Sequence, residues 1–323
     1  MIGHRSTLEL GLIGAGRWGS NYVRTIQAAP DAVLTRISTK RSDVSTLVGP
    51  ECRVDRRWRS LIEAGDVDGV IIATPPRLHF RMAHYALSHD IPVLVEKPLT
   101  MNVRQARTLG ALALERGVPL LVDHVYLYHP AYRVLRNELS GKGPFWIESS
   151  AGNDGPHRPD ASVLWDYGPH DVAMCVDLVG ETPTHVSARR LDRKAIGAGV
   201  AETLQIHLEF SSGDTAEVSL SNQLRNRTRR LSVRTGSELL VFDDTVETKL
   251  YRERVGNSGR REPIPYVAEP PLTVAVREFG EAILRRRPNL KDTNFATDVV
   301  AVLARCAAAL RPAASHVPSD FES

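Results

Sequence analysis

The sequence predicts an α/β protein: an N-terminal doubly wound parallel sheet, then a second α/β domain with a large, mostly antiparallel open sheet. Three observations predict it. Between residues 8 and 123, short apolar runs alternate with amphipathic stretches of helix length. A glycine-rich turn follows the first of these runs directly. Beyond residue 123 the pattern changes to longer stretches of alternating polarity, the form of a sheet with one wet face. A chain of 323 residues holds about two domains with separate cores, and the change of pattern divides it into 1–123 and 124–323.

The strands expected in the first part are LELGLI (8–13), AVLTRIS (32–38), GVIIAT (69–74), PVLVE (92–96) and PLLVD (119–123). Runs apolar at both parities suit parallel strands buried on two faces. Between them, 77–89 and 103–117 repeat apolar residues at helical spacing and end near Gly or before the next strand. In the second part a helix starts near Pro130, FWIESSAG follows, and a loop rich in Gly, Pro and Asp (152–162) leads to a helix starting near Trp165. Alternating stretches fill 184–251, with SSGD and TGS as turns, and a Pro- and Arg-rich loop spans 252–271. Two helices, 272–286 and 293–310, complete the pattern.

Composition excludes several functions. The net charge of +3 gives no electrostatic reason for a nucleic-acid or membrane partner. Cys52, Cys175 and Cys306 form no C-x-x-C pair and leave one thiol over, which fits a reducing compartment. No run is apolar enough to span a bilayer, and Glu9 interrupts the first apolar stretch, so a soluble cytoplasmic protein is expected. The histidines show no H-E-x-x-H and no Cys/His ligand set, so no metal site is expected. Arg225, Arg227, Arg229 and Arg230 cluster without aromatic interleaving and read as an exposed sheet face or a subunit contact.

Gly14-Ala15-Gly16-Arg17-Trp18-Gly19 is G-x-G-x-x-G between a strand and a helix. Gly14 makes the tight turn, Gly16 leaves room for a pyrophosphate, and Gly19 lets helix and strand pack closely. Unpaired N–H groups at the helix start, with Arg17 and Trp18, face that anion. An acidic ligand for a ribose 2′-hydroxyl is expected about 20 residues later. The chain instead reads Ser38-Thr39-Lys40-Arg41, hydroxyls and cations that suit a 2′-phosphate. NADP(H) is therefore favoured, with NAD(H) left open; the plainer reading is a solvated basic loop.

Two further strand ends carry rigid turns, Thr74-Pro75-Pro76 with His79 nearby and Glu96-Lys97-Pro98. Ligands bind outside such ends, so Thr74, Pro75, His79, Glu96 and Lys97 are candidates for the cofactor. Asp166 and His170, four residues apart, lie on one face if a single helix runs through both. From spacing alone they read as an N-cap and a core histidine. A carboxylate that holds an imidazole also makes a general base.

In this order and at these separations, Gly14 to Gly19, Ala73-Thr74-Pro75-Pro76, Glu96-Lys97-Pro98 and Asp166-x-Gly168-x-His170 resemble the glucose-fructose oxidoreductase / inositol dehydrogenase / MocA family. The resemblance spans about residues 8–180 and is architectural after that. It implies a Rossmann domain and an α/β domain whose sheet often mediates oligomer contacts, hence a homodimer or homotetramer through that sheet. It also implies that Lys97, Asp166 and His170 line the substrate pocket. The expected activity is hydride transfer between nicotinamide and a hydroxyl or keto carbon of a carbohydrate-like substrate: a sugar, sugar nucleotide or cyclitol. His170, held by Asp166, would take the hydroxyl proton while Lys97 steadies the oxygen. His124 joins the substrate set, and Arg158, in the loop before Asp166, reads either as a clamp for phosphate or carboxylate or equally as a solvated loop residue. Two rivals stand beside this: an enzyme that retains its nucleotide for net non-redox sugar chemistry, and a non-catalytic nucleotide sensor. The presence of Lys97, Asp166 and His170 together argues against the sensor.

Overall fold

The computed structural model describes residues 7–157, 161–236, 238–254, 261–285 and 290–311. Its first part runs β1 (Leu8–Ile13), α1 (Arg17–Gln27), β2 (Ala32–Ser38), β3 (Arg53–Asp55), α2 (Trp58–Glu63), β4 (Gly69–Ile72), α3 (His79–Ser88), β5 (Val93–Glu96), α4 (Val103–Arg116) and β6 (Leu120–Asp123). All six strands are parallel, in the order β3-β2-β1-β4-β5-β6. Central strands β4 and β5 are buried throughout, as their unbroken apolar runs require. The pattern is plain wherever burial is two-sided. It gives no sign of β3 or α2, three and six residues long, because an edge strand that short carries little apolar periodicity.

The second part runs α5 (Pro130–Leu139), β7 (Trp146–Asp154), α6 (Val163–Asp166), α7 (Gly168–Val179), β8 (His185–Ile196), β9 (Gly199–Glu209), β10 (Thr215–Ser221), β11 (Gln223–Thr235), β12 (Glu238–Asp243), β13 (Leu250–Arg254), β14 (Arg261–Pro263), α8 (Pro271–Arg285) and α9 (Leu290–Ala309). Its eight-stranded sheet has the order β14-β13-β12-β11-β7-β10-β9-β8. All pairings are antiparallel except β7 with β10. That parallel pair needs a crossover, and α6, α7 and the β8–β9 hairpin supply it. β13 and β14 form a short hairpin inside the stretch whose composition reads as loop.

Helices cover one face of this sheet. Leu135, Ile147, Val172, Met174, Leu204, Val218 and Leu231 form its core. The last two helices return to the first sheet: Leu272, Val276, Phe279 and Ile283 of α8 pack with Leu10, Leu12, Tyr22 and Ile37. α9 divides its apolar residues, with Ala296 and Val300 on the β4–β6 side and Val299, Val302, Leu303 and Cys306 in the second core. Among the described residues no helix is long and apolar enough to cross a membrane.

Candidate active site

The glycine turn has the geometry its sequence requires. Gly14 takes φ +104°, and a Cβ there would lie 2.5 Å from the Ala73 carbonyl oxygen. A Cβ on Gly19 would lie 2.0 Å from the Gly14 oxygen, so helix and strand approach as closely as backbone allows. At Gly16 nothing stands within 4 Å of that position. Gly16 also caps α1 without a side-chain hydrogen bond, and the first turn holds no acidic residue. A bare, uncapped helix start beside open space fits a dinucleotide pyrophosphate. Arg17 and Trp18 are exposed at its rim.

Beyond β2, Ser38 is buried and its carbonyl receives the Gly14 N–H at 2.9 Å. Thr39 is half-buried, and Lys40 and Arg41 are exposed. Arg41 folds back over the turn: Nη1 donates to the Ala15 carbonyl and the Ser20 hydroxyl, 3.2 Å each, while Nε and Nη2 both engage Asp43 at 2.6 Å.

The turns after β4 and β5 are braced by His79. It is fully buried, with Nδ1 2.8 Å from the Pro98 carbonyl and Nε2 2.8 Å from the Thr74 carbonyl. This corrects its expected place: α3 carries it under the two turns, where it ties Thr74-Pro75 to Lys97-Pro98 and cannot touch a nucleotide. Glu96 is also buried, beside Asp123, whose Oδ2 accepts the Tyr22 hydroxyl at 2.5 Å. Burial, and then the charge of Asp123, push the Glu96 carboxyl well above the usual range. Burial raises Asp123 as well. Glu96 thus belongs to an acidic cluster beneath the turn, because β5 points it inward from its last residue.

Lys97 emerges from that turn and reaches the second part of the chain. Its Nζ donates to the Asp166 carbonyl at 2.5 Å and stands 3.5 Å from Asp166 Oδ1. His170 is buried but not bonded to Asp166; its Nδ1 has no partner, and its ring meets Tyr126 edge-on at 5.1 Å. The expectation that Asp166 holds His170 is therefore corrected. The chain leaves α6 at Asp166 and enters α7 at Gly168, so the four-residue spacing spans two helices and directs the carboxylate to Lys97. Burial first, then the charges of Lys97 and Arg229, lower the His170 pKa well below 6.5, so its imidazole is neutral at pH 7. His124 is likewise buried, with neither ring nitrogen hydrogen-bonded and its pKa pushed down to about 3 by burial and then by Lys97. Arg158 lies outside the described residues.

Spacing also missed a second pair. Arg229 is not on an exposed face: it is buried, and its Nη1 bonds Asp171 Oδ2 at 2.8 Å. Asp171 Oδ1 accepts the Ser149 hydroxyl at 2.6 Å. Strand parity carried the signal, since Arg229 has the same parity as buried Leu231 and Val233. Arg225 and Arg227 share that parity and are exposed, so the strand emerges from under its helices between Arg227 and Arg229.

Comparisons with known proteins agree with this fold. A family profile described as "Oxidoreductase family, NAD-binding Rossmann fold" matches residues 8–124, and one for the GFO/IDH/MocA C-terminal domain matches residues 142–237. The UDP-N-acetylglucosamine 3-dehydrogenase of Acidithiobacillus ferrooxidans is 25% identical over 87% of the chain and 90% of its own. A crystal structure from Magnetospirillum magnetotacticum MS-1, of a protein assigned to the oxidoreductases, is 38% identical with TM-score 0.86, covering 93% of this chain and 100% of that one. A 3-ketoreductase from Actinomadura kijaniata, in complex with NADP, shares the fold at TM-score 0.82 and 21% identity over 94% of this chain and 98% of its own.

Proposed function

Since the chain belongs to the Gfo/Idh/MocA family of NAD-binding oxidoreductases, we propose that it interconverts a hydroxyl and a keto group on a sugar, sugar nucleotide or cyclitol, with NADP(H) as the preferred nucleotide. The observation that carries this reading is the contact of Lys97 with Asp166. It links the turn after β5 to the end of α6, two residues before the start of the helix that bears His170. When bound, the nicotinamide supplies the hydride donor or acceptor.

The chain's own residues do the rest. Gly14, Gly16 and the start of α1 would hold the pyrophosphate, and Lys40 and Arg41 would supply the positive charge for a ribose 2′-phosphate. Lys97 donates a hydrogen bond to the reacting oxygen and stabilises its developing negative charge. His170 is neutral at pH 7 and takes the hydroxyl proton in the oxidative direction, a role worth roughly 10²- to 10⁴-fold. Asp166 positions Lys97. The second sheet supplies the substrate wall and, through its uncovered face, contacts between subunits.

The test is a screen of NADP and NADPH against keto-sugars, sugar nucleotides and cyclitols, with fluorescence titration of both reduced nucleotides. NADPH is expected to bind more tightly than NADH, and Lys97→Ala and His170→Ala each to retain less than about a hundredth of the rate on the best substrate. Retention of more than about a tenth by both variants would remove the assigned roles.

A further inference from the structure

We propose that Arg229 anchors an acidic group of the substrate, so that the natural substrate is a sugar bearing a carboxylate or a phosphate. The inference deepens the oxidoreductase reading and rests on it. A guanidinium has two flat faces and a donor-lined rim, and in Arg229 most of these are already occupied. Its carbon stands 4.8 Å from the ring centre of Tyr126 and 5.8 Å from that of Tyr167, aromatic contacts that favour a cation. Nη1 is fixed by Asp171, which the Ser149 hydroxyl orients in turn. Among the described residues nothing accepts from Nε or Nη2, and the side chain is still 7% exposed.

The remaining Nε/Nη2 edge presents two parallel N–H groups. That spacing matches the two oxygens of a carboxylate or of a phosphate. That edge still reaches solvent, so an anion can meet a charged donor pair whose orientation the aromatic rings and Asp171 have already set. The edge belongs to the reacting site: Tyr126 touches both Arg229 and the His170 ring, and Tyr167 immediately precedes the helix that carries His170. A substrate gripped there by its acidic group would lie with its hydroxyls towards His170 and Lys97.

The experiment compares D-glucuronate, D-glucose 6-phosphate and D-glucose by calorimetry on the whole protein saturated with NADP, and then follows turnover of each. One or both acidic sugars are expected to bind roughly ten- to a hundredfold more tightly than glucose. Preference for glucuronate identifies a carboxylate and preference for the phosphate ester a phosphoryl group. In Arg229→Met the ratio of acidic to neutral binding should collapse towards one. Because that variant leaves Asp171 buried without its partner, Arg229→Met/Asp171→Asn is measured beside it and should lose the preference too. Equal or equally undetectable binding of the three sugars by the unaltered protein overturns the anchor, as does a preference that survives both variants. Binding needs no turnover, so tight binding without hydride transfer counts against the oxidoreductase reading and leaves the anchor standing.

Discussion

Lys97 is held in place by the protein alone, and that sets what single side chains can be asked to do. Its contact with Asp166 aims the ammonium group, while burial and then the neighbouring cations lower the His170 pKa well below 6.5. The sign follows: a histidine whose pKa is depressed in the folded protein stays an available base as acid is added. The acid limb of the pH profile of kcat/KM is therefore expected below pH 6.5, and a limb at or above that value would contradict the assignment. Glu96 behaves in the opposite sense. With its pKa raised, its contribution to stability is complete below about pH 4.5 and is lost as pH rises through the raised value. Glu96→Gln cannot ionise, so its thermal midpoint relative to the unaltered protein should rise between pH 5 and pH 8, read by thermal scans across that range. Lys97 was legible as a strand-end cation at a nucleotide crevice. The acidic cluster below it was not, because Tyr22 and Asp123 are 101 residues apart in sequence and meet only through the parallel pairing of the sheet.

Among the elements, the turn from β1 into α1 separates a glycine needed for the fold from one that leaves space for a ligand. A methyl group at Gly19 would meet the Gly14 carbonyl at 2.0 Å, whereas one at Gly16 meets nothing. Gly19→Ala should therefore destabilise the protein by about 1–3 kcal/mol or more in urea unfolding. Gly16→Ala should unfold at nearly the same urea concentration and yet bind NADPH about tenfold or more weakly. If the two variants lose stability equally, the division is wrong. This element was fully readable, since each glycine of the motif has a separate steric task. The region of Asp166 and His170 was readable as residues but not as geometry. One break at Tyr167 converts an apparent helical pair into side chains with different partners.

At the scale of the whole molecule, the two sheets were legible because burial on both faces and burial on one face leave different patterns. The destination of the C-terminal helices was not: an amphipathic stripe shows that a helix is covered without showing by what. α8 covers the face of the first sheet that carries Leu10 and Leu12, beside Tyr22 of α1, and Phe279 is fully buried there. Phe279→Ala is expected to lower stability by about 3–5 kcal/mol and, despite its distance along the chain, to weaken nucleotide binding along with it. A stability loss with unchanged NADPH affinity at moderate temperature would place α8 outside the nucleotide-binding unit.

The return of α8 also sets an order on synthesis. A ribosome releases the N-terminal strands first, but the apolar surface around Leu10 and Ile37 waits for Leu272, Val276, Phe279 and Ile283 before it is covered. Through most of its own translation the nascent chain therefore presents a half-built, adhesive nucleotide domain, and premature termination before residue 271 leaves a fragment fit for chaperones and proteases rather than a smaller working module.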